Sequence, residues 1–172
     1  VSKVDWEYWL KGTGLPTVFD LADHIDDSLL RRSRELANAW IAGGLGCKFS
    51  DLKDMKAQQI MLLLDHLIEA ADKGSPPSLD SLAKMEEMYR VSETRNVEVA
   101  FRWCVLGCKS FWPGVIPTAR RFLGIHGRGI YVKPLYIALN DFQPQVAREV
   151  FELNRHFYML TISKGVAGYL GL

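Results

Sequence analysis

The chain has 172 residues, 48% of them hydrophobic, with 21 basic and 20 acidic side chains and a formal net charge of +1. That length suits one domain with a sizeable core. The charge balance excludes an electrostatic nucleic-acid binder, which needs a basic excess on one face, and equally an acidic or disordered chain. An odd set of three cysteines, Cys47, Cys104 and Cys108, without a secretory leader, predicts reduced thiols and a cytoplasmic setting. No apolar run reaches the ~18 residues of a membrane-spanning helix, so no membrane partner is expected. The chain opens on Val1 with no initiator Met, which reads as a cut inside a longer protein.

Residues 1–27 read as a linker. Trp6, Trp9 and Leu10 are its apolar anchors, and Gly12, Gly14 and Pro16 break any regular pattern. Helical periodicity then dominates. Ser28 to Ala42 carries Leu29, Leu36, Ala37, Trp40 and Ile41, and Gly43-Gly44 stops it. Ala57 to Lys73 is strongly apolar, and Gly74 fits the residue past its end. After the Pro76-Pro77 turn, Ser78 caps a helix through Leu79, Leu82, Met85 and Tyr89.

The clearest helix follows. Val97, Ala100, Phe101, Cys104, Val105 and Cys108 keep the i, i+3, i+4 rule without a miss. Pro113 opens the next helix, which runs on through Phe122 and Leu123. A short helix is predicted over Pro134 to Asn140. The last begins at Pro144 with a stripe reaching Phe157 and Tyr158, and Gly165 and Gly168 weaken its continuation. No alternating segment is long enough to make a useful strand. The sum is an all-α chain of about eight helices, paired antiparallel in a superhelix or bundle.

Chemistry-bearing motifs are few. The four histidines, His24, His66, His126 and His156, include no His-Glu-x-x-His pair. No phosphate cradle or nucleophile elbow is present. His66 and Glu69 share a helix face but lack further metal ligands. Cys104 and Cys108 read as small core residues rather than half of a zinc site. Asp26-Asp27 complements the dipole of the following helix. No catalytic or metal-ligating residue is therefore assigned to this chain.

Two positions stand out. Glu98 and Arg102 lie four apart in the orientation that favours a structural ion pair. Arg128 lies in Gly-Ile-His-Gly-Arg-Gly, where its guanidinium could offer two parallel N–H groups to a carboxylate; a solvated surface arginine is the alternative.

Several blocks, in order, resemble the C-terminal domain of the leukotriene A4 hydrolase, aminopeptidase B and aminopeptidase O branch of zinc aminopeptidases. They are Trp9-Leu10 with Gly14-Leu15-Pro16; Asp51 to Asp54 with Gln58-Gln59; Leu82 to Tyr89; Asn96, Glu98 and Phe101 to Trp103; and Gly127-Arg128 with Tyr131 to Tyr136. The resemblance implies an armadillo- or HEAT-like α-α superhelix over 28–172, joined by the 1–27 linker to an upstream catalytic domain of the same polypeptide. That upstream domain would hold zinc, and this one would wall the active-site channel. The resemblance also implies that Arg128 binds the carboxylate of a short peptide substrate. Where the family often has a second cation, two residues after the arginine, this chain has Ile130; Lys133 is the nearby basic candidate. The family's His-Pro near the C-terminus is absent, so relatives of aminopeptidase B or O fit as well as the lipid hydrolase. The competing reading is a stand-alone helical-solenoid module that binds proteins and has no enzymatic role.

Overall fold

The computed structural model describes residues 6–13 and 27–172, and among these nine α-helices form and no strand. The positions Gly14, Pro16, His24 and Asp26 read from the sequence lie outside the described residues. The first helix, α1 (Trp6–Lys11), is held by a Lys11–Glu7 ion pair and buries none of its residues. Trp6, Trp9 and Leu10 were expected as apolar anchors but stand more than half exposed.

The next elements follow their sequence signals closely. α2 (Ser28–Ile41) buries Leu36, Ala37 and Trp40, and it ends where Gly43 and Gly44 take positive φ. α3 (Ala57–Asp72) buries Leu63, Leu64 and Leu67, with Gly74 at φ 79 just past its end. α4 (Leu79–Tyr89) is capped by the Ser78 hydroxyl, which accepts from the Ser81 amide at 3.1 Å. It ends at Arg90 in the left-handed region. α5 (Val97–Lys109) is capped by Asn96, whose side-chain oxygen accepts from the amides of Glu98 and Val99.

The second half departs more. Pro113 starts a single 3-10 turn, and α6 (Ile116–Ile125) begins after it. α7 (Gly129–Phe142) starts five residues before the predicted boundary and carries Pro134 inside it. Proline removes one helix hydrogen bond, but Pro134 faces outward, where solvent can serve the Ile130 carbonyl left over. α8 (Pro144–Asn154) ends before the predicted Phe157 and Tyr158. A separate α9 (Leu160–Leu170) follows, despite Gly165 and Gly168. Burial of Ile162, Val166 and Leu170 outweighs the ~1 kcal/mol each glycine costs a helix.

The helices stack in two layers. α3, α5, α7 and α9 pack side by side, and α4, α6 and α8 form the returning layer. The ion pairs give the direction. Asp65 pairs with Arg102 and Asp72 with Lys109, both across 37 residues, so α3 and α5 run parallel in one register. In the other layer Arg120 of α6 reaches Glu149 of α8 at 2.8 Å. Parallel like helices joined by antiparallel returns make the expected α-α superhelix. No helix among the described residues is long and apolar enough to cross a membrane.

Two apolar cores meet at α5. One, over α2 to α5, takes Trp103 and Leu106; the other, over α5 to α9, takes Cys104, Val105 and Cys108. The sequence shows one stripe on this helix, whereas the fold buries a second one made of Val99, Trp103 and Leu106. All three cysteines are free, and burial pushes the Cys108 thiol up to about 12.

Gly107 marks a tight approach between α5 and the 3-10 turn that starts at Pro113. A Cβ there would come within 2.5 Å of the Val115 side chain. Gly107→Ala gains ~1 kcal/mol of helix propensity but overpacks the core, at a cost of about 1–3 kcal/mol. The expected outcome is a net loss of stability, read as a lower urea midpoint.

Deeper in the second core, the Tyr158 hydroxyl donates to the Leu123 carbonyl at 2.8 Å and lies 3.0 Å from the Tyr136 hydroxyl. Burial first, then Tyr158, pushes the Tyr136 hydroxyl far above its ordinary 10.0. The unfolded chain therefore ionises before the folded one as pH rises. This stability is fully present below the ordinary value of 9.0 for cysteine and is lost as pH climbs towards the raised values. The thermal midpoint should fall steadily above pH 9, measured by circular dichroism.

Candidate functional site

Arg128 sits at the start of α7 because the chain turns there between α6 and α7 under two side chains from the far end of the fold. A Cβ on Gly127 would lie 3.4 Å from the Phe157 ring, and one on Gly129 would lie 3.3 Å from Ile162. A side chain at Gly129 would press on Ile162, while one at Gly127 would meet Phe157 at ordinary contact distance. The exposed Arg128 is thus the residue that this turn presents outward.

Its guanidinium lies over the Tyr131 ring, 5.7 Å from the centroid. Among the described residues it makes no hydrogen bond and no ion pair. The amides of Gly129 and Ile130 open α7 ahead of the first helix bonds, which Tyr131 and Val132 donate to the Arg128 carbonyl. A helix start offers such amides and a favourable dipole to an anion.

Behind Arg128 runs a linked set of polar groups. The Tyr131 hydroxyl donates to Glu98 Oε1 at 2.6 Å. Arg102 Nη1 donates to Glu98 Oε2 at 2.7 Å, and its Nε donates to Asp65 Oδ1 at 2.8 Å. The predicted Glu98–Arg102 pair is therefore present, but it is one link of a chain spanning α3, α5 and α7. The Tyr131 ring is wedged against Phe101 and Phe122, with centroids at 5.3 and 6.0 Å.

The electrostatics follow from those contacts. The bond from Tyr131, then that from Arg102, holds the Glu98 carboxyl below its ordinary value. The same bond to Glu98, with burial, pushes the Tyr131 hydroxyl up, so it stays protonated and keeps donating. Burial alone would lower the Arg102 guanidinium, but the carboxylates of Glu98 and Asp65 outweigh it and raise the group.

Lys133 is not brought to this cluster. Its side chain crosses α9, where a Cβ on Gly165 would lie 3.2 Å from Lys133 Cε. Ile130, by contrast, is exposed in the first turn of α7. Of the cluster, Tyr131 enters the sequence reading only within the block after Arg128, and Asp65 not at all. Asp65 joins only through the stacking of α3 on α5, whose register the Asp65–Arg102 and Asp72–Lys109 pairs share.

His66 Nδ1 approaches Glu69 at 3.8 Å as the predicted same-face pair. Among the described residues no group of three His, Cys, Asp or Glu is placed to hold a metal ion. The resemblance places zinc in the upstream domain, and no step is assigned to it on this chain.

The Glu98 contacts predict a measurable titration. Its depressed folded value contributes stability above the ordinary value of 4.5, which is lost as pH falls through the folded one. Carbon-detected NMR should place the Glu98 midpoint below 4.5, and Tyr131→Phe should move it up, because the hydroxyl bond is the largest cause.

Comparison with known proteins agrees with this architecture. The family model for the C-terminal domain of leukotriene A4 hydrolase matches residues 55–170. Leucine aminopeptidase 2 of Aspergillus clavatus is 32% identical over 162 residues, covering 92% of this chain and 25% of that protein. Leukotriene A-4 hydrolase of Xenopus laevis is 31% identical over 164 residues, covering 91% and 26%. The solved structure of native yeast leukotriene A4 hydrolase superposes with a TM-score of 0.79 at 22% identity, covering 98% of this chain and 29% of that one, and shows the shared fold. The chain thus spans about a quarter of the length of the curated relatives it matches. With matched sequence over both cores and the same helical architecture, the chain belongs to the leukotriene A4 hydrolase C-terminal domain family.

Proposed function

We propose that this chain is the helical wall of the active-site channel in a longer zinc aminopeptidase, and that Arg128 binds the C-terminal carboxylate of short peptide substrates there. The observation that carries the reading is Arg128 itself. It is exposed, free of any hydrogen-bonded or ionic partner among the described residues, and stands at the open start of α7. Those are the requirements for a bidentate contact to a carboxylate.

In this reading the catalytic zinc and its ligands belong to an upstream domain of the same polypeptide, joined through residues 1–27. The share of each relative that the chain covers leaves room for such a domain. The cytosol is the compartment this reading assigns, in keeping with three free cysteines. Ile130 leaves Arg128 as the one cation of the first α7 turn, so a single arginine would carry the contact. Lys133, lying along α9, is a candidate only if its side chain swings away from Gly165.

A charge-assisted contact of this kind is worth about 1.5–3 kcal/mol. In the full-length enzyme, Arg128→Ala should lower kcat/KM on a tripeptide with a free carboxylate about ten- to a hundredfold. The amidated form of the same tripeptide should lose far less. Equal losses on the two substrates would remove the carboxylate role.

A further inference from the structure

We propose that Tyr131 is a positioning residue for Arg128: its ring carries the guanidinium, and its hydroxyl, donating to Glu98, locks the ring in place. The proposal rests on the carboxylate role given to Arg128 above and names how that role is achieved.

An exposed arginine with no hydrogen-bond partner would ordinarily sample many rotamers, and an incoming carboxylate would have to freeze them. Here the cation lies 5.7 Å from the Tyr131 centroid, within reach of the negative face of the ring. The ring itself is held at its faces and its hydroxyl. Phe101 and Phe122 pack against it, and its hydroxyl is tied to Glu98 at 2.6 Å. Glu98 is in turn tied to Arg102, and Arg102 to Asp65 of α3. Four side chains from three helices thus end in one aromatic platform under Arg128.

The arrangement also keeps the arginine available. Glu98 attracts Arg128 through space but spends its two oxygens on Tyr131 and Arg102. It therefore draws the guanidinium towards the ring without closing an ion pair over it. A cation–π contact orients the cation and leaves its N–H edge free for a carboxylate. A direct Glu98–Arg128 pair would occupy that edge.

The test uses the full-length protein and one tripeptide in its acid and amide forms. Tyr131→Met removes the ring at similar bulk, and Tyr131→Phe keeps the ring but drops the hydroxyl. Tyr131→Met should raise KM for the acid about three- to tenfold, the loss expected when a cation–π contact and its ordering are removed, with kcat changing little. The acid-to-amide ratio of kcat/KM should fall with it. Tyr131→Phe should restore most of that ratio, leaving about a twofold deficit.

An acid-to-amide ratio at the wild-type level in both variants, while Arg128→Ala collapses it, would overturn the positioning role and leave the carboxylate reading standing. A ratio that Arg128→Ala itself does not move would overturn both. Should Tyr131→Met fail to fold by circular dichroism, Tyr131→Leu serves as the ringless variant, and an acid-to-amide ratio at the wild-type level in it would overturn the positioning role.

Discussion

The structure depends on α5 being buried from two sides at once. Trp103 and Leu106 face one core and Cys104, Val105 and Cys108 the other, so the helix has little outer surface left. A helix that is apolar nearly all round must lie inside a fold. That demand places α3 and α7 on its two flanks and sends α4 and α6 back behind it. Gly107 reflects the same constraint, because the 3-10 turn carrying Val115 approaches closer than any side chain at 107 would allow.

The strip of α5 that remains open is where charge collects. Glu98, Arg102 and Lys109 all lie on it, and each meets a group from a neighbouring helix. Two of the contacts repeat the same 37-residue offset, so the ion pairs report the stacking register of α3 on α5. Half-exposed pairs of this sort add little net stability. They mark the register that the two apolar cores impose on α3, α5 and α7, and that register is what brings Tyr131 beneath Arg128.

The turn that carries Arg128 is shaped from a distance. Phe157, beyond α8, lies over Gly127, and Ile162, on α9, leaves little room for a side chain at Gly129. Residues near the end of the chain thus line the turn of a residue some thirty positions earlier. This is why α9, which touches no charged group of the cluster, still matters to it. It also explains why Lys133, only five residues past Arg128, serves another surface: one and a half turns of α7 carry it round to α9.

The sequence by itself determined the helical class, the elements from α2 to α5 with their caps and stops, and the Glu98–Arg102 pair. All of these are written in local spacing: apolar residues every three or four positions, Ser78 and Asn96 at helix starts, Gly43, Gly44 and Gly74 at helix ends. Local spacing was misleading where burial overrode propensity. α9 forms through two glycines because Ile162, Val166 and Leu170 find a core, and α7 runs through Pro134 because that position faces solvent. Tertiary structure alone decided the second buried face of α5, the exposure of Trp6 and Trp9, the separation of Lys133 from Arg128, and the recruitment of Asp65 and Tyr131 beside Glu98 and Arg102. Contacts across 33 and 37 residues exist only once three helices are stacked in register, and no residue announces that register to its own neighbours in the chain.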